Sequence, residues 1–242
     1  SQCYKYGARS ITSCYRTAPM GYDWPANWEE KPLLQRLEKN RAYFIDGTHK
    51  HIDAVILCTG YKHHFPFLPD ELCLKTDNRL WPMNLYKGIF WEPNPQLIYL
   101  GMQDQWYSFN MFDAQAWYAR DVILGRIPLP SQAEMIADSL QWHAREQTLE
   151  TNQQMFEFQG AYIQQLVDAT DYPSFDIAAV NDTFLHWKHD KAHDIMGYRD
   201  KSYRSLMTGT QSPPHHTPWL HALDDSMAAY LAGPPMSVKS IG

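Results

Sequence analysis

Cysteine is sparse in this chain: Cys3, Cys14, Cys58 and Cys73 form no CxxC pair and match none of the spacings that hold zinc or a redox disulfide. Reduced thiols and a cytoplasmic setting are the simplest expectation. No Lys/Arg run occurs, and 21 Lys+Arg against 27 Asp+Glu leave a formal charge of −6. A nucleic-acid groove therefore lacks its electrostatic footprint. No apolar stretch approaches the roughly 20 residues of a membrane span, and the opening residues carry no signal-peptide core, so a soluble protein without a membrane partner is expected. Internal repeats and low-complexity segments are absent. So is a glycine-rich phosphate turn, because the nearest candidates, around Gly7 and Gly21, lack a second glycine at the required distance.

What the chain does have is aromatic surface. Aromatics make up 14% of its 242 residues, with nine Trp and fifteen Tyr, a surplus that usually lines cavities or interfaces. The opening residues predict the end of a helix stopped at Gly7, then a strand from Ile11 to Arg16. In a doubly wound α/β sheet, a strand and a glycine-rich turn precede such a helix, so an N-terminal portion is expected ahead of Ser1. Strands are predicted near Leu33–Leu37 and Ala42–Ile45, with Asp46-Gly47 as a hairpin signal. The apolar run Ile52–Cys58, ending in Thr59-Gly60, predicts a buried parallel strand whose carboxyl end opens on a ligand crevice, and Leu97–Gly101 predicts a second.

Beyond these runs the pattern turns helical. Phe112, Ala116, Ala119 and Ile123 fall on one stripe, stopped by Gly125 and Pro128. Ser131 and Glu134 form a capping box opening a helix to about Gln147. Thr151 and Gln154 open another, with Met155, Phe158, Tyr162 and Leu166 on its apolar face and Pro173 beyond its end. Further helices are expected from Asp182 to Ile195, and after Thr217 up to Gly233-Pro234.

Three strings carry more than local structure: Ile56-Leu-Cys-Thr-Gly-Tyr61 followed by Phe65-Pro-Phe-Leu68, Gly101-Met-Gln-Asp-Gln-Trp-Tyr-Ser108, and Asn110 to Arg120. Asp171-Tyr-Pro-Ser-Phe-Asp176 and Tyr203 to Gly209 extend the pattern. Together they resemble the flavin-containing monooxygenases, and in particular their bacterial branch that oxygenates trimethylamine to its N-oxide. The first string is similar to the family's threonine/alanine-glycine motif at the crossover between its NADPH-binding and FAD-binding domains, with Cys58 in place of a small residue. The resemblance implies an NADPH-dependent flavin monooxygenase with FAD and NADPH as cofactors and O₂ and a small amine as substrates. It places the chain in the C-terminal half of such an enzyme, with the other half as its partner; a homodimer stays open. Residues 1–66 then belong to the NADPH-binding domain and crossover, and 67–242 to the FAD-binding domain with its helical substrate-side region. The fold class is α/β, parallel-sheet remnants followed by a helical region.

Carried over position by position, the resemblance assigns Arg16 and Thr17 to the 2′-phosphate of NADPH, as suits an Arg at the end of a second dinucleotide-fold strand. Arg199 is implied at the same cofactor. Thr59, Gly60, Gln105 and Ser108 are implied at cofactor-binding positions, the last two at FAD and just ahead of a helix N-terminus. Asp104, Trp106 and Trp187 are implied around the substrate, where aromatic faces and one carboxylate suit a tertiary amine. Read without the resemblance, each is an ordinary surface, cap or core residue. Eleven His include His63-His64, His215-His216 and the helix-spaced His186, His189 and His193, but no pattern such as HExxH completes a ligand set, so no metal is expected. Asp224-Asp225 suits a helix surface. Two alternatives stay open: a related monooxygenase acting on other amines, sulfides or ketones, and an inactive remnant that lacks both phosphate turns. The chain alone is expected to bind FAD poorly.

Overall fold

The computed structural model describes residues 2–60, 62–75 and 78–211. A short helix, α1 (Gln2–Lys5), leads into β1 (Ile11–Tyr15), which pairs in parallel with β2 (Trp28–Pro32), Ile11 lying opposite Trp28. Parallel neighbours need a crossover of a dozen or so residues. Here residues 16–27 provide it. β3 (Leu34–Glu38), β4 (Arg41–Phe44) and β5 (His49–His51) follow as an antiparallel sheet in chain order, and the predicted Asp46-Gly47 turn joins the last two. Asp46 Oδ1 accepts the Thr48 N–H at 2.9 Å, which closes the turn locally.

Residues 52–58 do not form the predicted buried parallel strand. The segment pairs with no strand, and Val55, Ile56 and Leu57 are 43%, 69% and 77% exposed. A parallel strand depends on ladder bonds at its edges and on layers over both faces. The described residues supply neither. Leu97–Gly101 departs in another way. It runs antiparallel beside the hairpin of β6 (Leu85–Tyr86) and β7 (Phe90–Trp91), with the Tyr99 N–H donating to the Ile89 carbonyl at 2.9 Å and an antiparallel bridge between Phe90 and Ile98.

Four long helices follow. α2 (Phe109–Ile123) buries Met111, Ala114, Gln115, Tyr118 and Ala119, a face rotated from the predicted stripe, and leaves Ile123 exposed. The rotation goes with Gln115, whose side chain turns inward on hydrogen bonds to Gly101, Gln103 and Tyr162 that a count of apolar residues does not register. α3 (Gln132–Glu146) and α4 (Asn152–Asp168) open with the two predicted capping boxes, and both reciprocal pairs are made. α5 (Ile177–His193) starts five residues before the predicted Asp182, because the Asp176 side chain accepts the Ala179 N–H at 2.9 Å and so sets the N-terminus there. The predicted last helix, with Asp224-Asp225, and His215-His216 lie outside the described residues.

The core gathers around α4, which packs against α2 and α5. Trp81 is fully buried, stacked on Trp142 at 5.0 Å and edge-on to Tyr162 at 5.4 Å. Gly160 lets α5 come close: a Cβ there would lie 2.8 Å from Ile177 Cγ2 and 3.1 Å from the Tyr107 hydroxyl. Among the described residues, every buried apolar side chain apart from Ala42 and Phe44 lies at Leu74 or beyond. No helix among the described residues is long and apolar enough to cross a membrane.

Candidate functional site

Residues 101–108 form a loop between the β6–β7 hairpin and α2, and two buried glutamines pin it. From α2, Gln115 Oε1 accepts the Gly101 N–H at 2.8 Å, while its amide group donates to Gln103 Oε1 at 3.0 Å and to the Tyr162 hydroxyl at 2.8 Å. From α4, Gln159 Oε1 accepts the Trp106 N–H at 2.9 Å, and its Nε2 donates to the Asp104 carbonyl. Both side chains are fully buried, where satisfied amides hold a backbone more tightly than they do in water. Gly101 is required at the start, since its φ is +72° and a Cβ would lie 2.4 Å from the Phe112 ring. Sequence reasoning missed both glutamines; the one available signal was an amide on an otherwise apolar helix face.

The loop's far end is anchored too. The buried Tyr107 hydroxyl donates to Asn181 Oδ1 at 2.6 Å, tying the loop to α5, and desolvation raises its pKa well above the usual phenol range. Ser108 then takes φ +45° and ψ −112°, an uncommon conformation for a residue with a side chain, at the N-terminus of α2. Backbone strain of this kind, worth about 1–3 kcal/mol, persists where the surroundings fix it and concentrates at functional sites.

Beside this loop lies an open-sided hollow of about 240 Å³, lined among the described residues by Asn78, Arg79, Leu80, Asp104, Trp106, Glu146, Leu149 and Met155. Asp104 and Trp106 both line it. One wall is fixed by Glu146, which pairs with Arg79 at 2.9 Å and accepts the Leu80 N–H at 3.0 Å. These wall residues come from distant segments, and no sequence spacing announced them. Trp187 is not among the lining residues, but its ring meets that of Trp106 at 6.3 Å, inclined by 64°. A lysine lies over each of these rings: Lys188 Nζ 5.0 Å over that of Trp106 and Lys191 Nζ 5.5 Å over that of Trp187.

The remaining predicted residues are spread more widely. Arg16, Thr17, Thr59 and Gly60 are exposed and do not line the hollow. Arg199 sits on a single 3-10 turn, Tyr198–Asp200, its guanidinium 5.1 Å over the Tyr198 ring, which in turn meets Trp187 at 5.5 Å. Asp200 of that turn accepts from Lys5 Nζ at 2.7 Å, so it ties the start of the chain to the end of the helical region. The later strings of the motif also converge. Asn110 Nδ2 lies 3.4 Å from the Tyr172 hydroxyl and 2.7 Å from Met207 Sδ. Asp171 pairs with Arg120, whose guanidinium holds the Asp171 and Asp121 carboxyls below the usual carboxylate range. His189 and His193 stack at 4.0 Å on an exposed face, and no cluster of three or more metal-ligating side chains occurs among the described residues. The four thiols are free.

A family model described as flavin-binding monooxygenase-like matches residues 27–183. The chain belongs to that family. A trimethylamine monooxygenase from Roseovarius sp. (strain 217) is 59% identical over 231 residues, which is 96% of this chain and 52% of the relative. One from Methylocella silvestris is 58% identical over 239 residues, 99% of this chain and 53% of the relative. Among solved structures, Tmm from Pelagibacter sp. strain HTCC7211 superposes with a TM-score of 0.83 at 50% identity, over 95% of this chain and 52% of that one. S-allyl-L-cysteine S-oxygenase from Allium sativum shares the fold, with a TM-score of 0.59 at 21% identity over 79% of this chain and 46% of that one. The chain spans about half the length of the curated relatives it matches.

A family that binds flavin poses the question of what here would hold one. Gln105 Oε1 is buried and has no hydrogen-bond partner, an acceptor of the kind that suits a ring N–H such as that of a flavin pyrimidine. Ser108 and the α2 N-terminus stand three residues further on, and a helix N-terminus favours electron-rich groups. These residues fit one edge of a flavin. The chain has no glycine-rich turn for its pyrophosphate.

Proposed function

We propose that this chain forms the substrate-facing part of an NADPH- and O₂-dependent flavin monooxygenase that converts trimethylamine to trimethylamine N-oxide. The observation that carries this reading is the convergence of Asp104 and Trp106 on one hollow with Trp187 against Trp106, all within reach of the pinned loop that also bears Gln105 and Ser108. The identity to trimethylamine monooxygenases over nearly the whole chain supports it.

Bound FAD would supply the redox chemistry, with NADPH as reductant and O₂ as the source of the oxygen atom. This chain's residues do the rest. Gln105 and Ser108 hold the flavin edge. Arg16, Thr17 and Arg199 hold NADPH through its phosphates, and Thr59 and Gly60 let backbone approach the cofactors closely. The indoles, with Leu149 and Met155, keep water from the reacting centre. At the open side of the hollow Asp104 takes the proton of an ammonium, its carboxylate becoming a carboxylic acid, so that the amine goes on to the indoles uncharged, since only its lone pair attacks oxygen. Residues 1–66 serve the NADPH side and the crossover, residues 67–242 the FAD and substrate side. The partner is the dinucleotide-binding half that the longer relatives carry, whose glycine-rich turns hold both pyrophosphates.

The test joins this chain to the remaining half of the Roseovarius relative and follows N-oxide by proton NMR in the presence of FAD, NADPH and trimethylamine. We expect N-oxide in step with NADPH consumed, and at least a hundredfold lower kcat/KM for Asp104→Ala. A folded, flavin-loaded chimera that makes no N-oxide overturns the reading, as does one that prefers dimethyl sulfide.

A further inference from the structure

The indole faces in this site already carry positive charge. Lys188 and Lys191, three residues apart on α5, fall on one helix face, with Nζ 5.0 Å over Trp106 and 5.5 Å over Trp187. Trp106 also receives the edge of Phe156 at 5.0 Å, while the hollow it lines carries the Asp104 and Glu146 carboxylates and the Arg79 guanidinium. Burial, and then Lys191, lower the pKa of Lys188, which marks the ammonium as incompletely solvated where it sits. A second cation drawn to the same ring has to displace the first or sit beside it, and like charges repel more strongly at a partly dry site than in water.

The chemistry asks for such an arrangement. Trimethylamine in neutral water is mostly the ammonium ion, which has no lone pair to offer an electrophilic oxygen. A cage of bare indoles would concentrate the unreactive cation. We propose that Lys188, which is not in the hollow's lining but lies over its Trp106 ring, is a specificity-determining residue that admits an uncharged tertiary amine and turns away the same shape carrying a positive charge. This inference rests on the amine-site reading above and adds to it the charge state of the molecule that binds.

The experiment is saturation-transfer NMR on the full chain with two probes of nearly equal shape, tetramethylammonium and the neutral neopentyl alcohol. Lys188→Met and Lys188→Gln remove the charge, Lys188→Arg keeps it, and far-UV circular dichroism checks that each variant folds. We expect the unaltered chain to bind the alcohol at least about tenfold more tightly than the cation. Lys188→Met and Lys188→Gln should tighten tetramethylammonium about tenfold, the scale of one recovered cation–π contact, and leave the alcohol within about twofold. Lys188→Arg should behave as the unaltered chain. If both neutral variants leave cation affinity unchanged, or if the unaltered chain binds the two probes equally, Lys188 does not select charge although the amine site stands. If neither probe binds any folded variant, the amine site falls and this inference falls with it.

Discussion

Two tryptophan pairs show how differently the two ends of this molecule are built. Trp24 and Trp28, beside the small parallel sheet, lie flat on one another at 4.1 Å and 8°, each ring covering its neighbour's face. Trp106 and Trp187 meet at 6.3 Å and 64°, with a lysine over each ring. The first pair encloses itself. The second is held open, because Gln159 fixes the Trp106 backbone while α5 carries Trp187 separately. The surroundings repeat the contrast: among the described residues the buried apolar side chains other than Ala42 and Phe44 lie at Leu74 or beyond, whereas Val55, Ile56 and Leu57 stand bare in the first sixty residues. An open aromatic angle persists only where a packed core bears on the backbone around it.

The comparison is broken most forcefully by attacking that core. Trp81→Ala removes a fully buried indole stacked on Trp142 and should destabilise the fold by about 3–5 kcal/mol, read by urea denaturation. A loss below about 1 kcal/mol would mean that the helical region does not depend on this cluster. Next is Gln159→Leu, which keeps the volume but strands the Trp106 N–H and the Asp104 carbonyl. We expect a loss of about 2–4 kcal/mol, with hydrogen exchange at residues 104–106 rising more than at α3.

Glu92 sharpens the comparison through pH. It is buried, with Oε1 unpartnered. Desolvation raises its carboxyl pKa; a Ser139 hydrogen bond opposes the shift and Asp138 adds to it. The folded state therefore holds this proton more tightly than the unfolded chain, so stability is highest below the unfolded value of about 4.3 and falls as pH rises through the raised folded value. Glu92→Gln should remove that decline and add about 1–2 kcal/mol at pH 7, measured as the pH profile of thermal unfolding. The smallest effect belongs to the other region. Leu57→Ser changes a side chain 77% exposed and should alter stability by less than about 0.5 kcal/mol.

Much of this was legible where the chemistry is local. The boxes at Ser131–Glu134 and Thr151–Gln154 and the turn at Asp46-Gly47 each depend on residues no more than three apart, and the structure makes all three. Asp104 and Trp106 were legible through their motif and share one hollow. Other features escaped because they depend on distant partners. Residues 52–58 have a strand's composition, but pairing is decided by neighbours that composition does not contain. The Gln159–Trp106 bond spans 53 residues and the Arg79–Glu146 pair 67, and no spacing announces either. The position of Lys188 is not legible in the sequence, because a lysine beside a tryptophan in the chain says nothing about which ring it covers.

The central claim is that the open tryptophan pair, and not the closed one, faces the amine. Nuclear Overhauser contacts from the methyl protons of added trimethylamine to assigned indole protons test it most directly. The account predicts contacts to Trp106 that vanish in Trp106→Phe and none to Trp24 or Trp28. Methyl contacts confined to Trp24 and Trp28, with Trp106 silent, would contradict it.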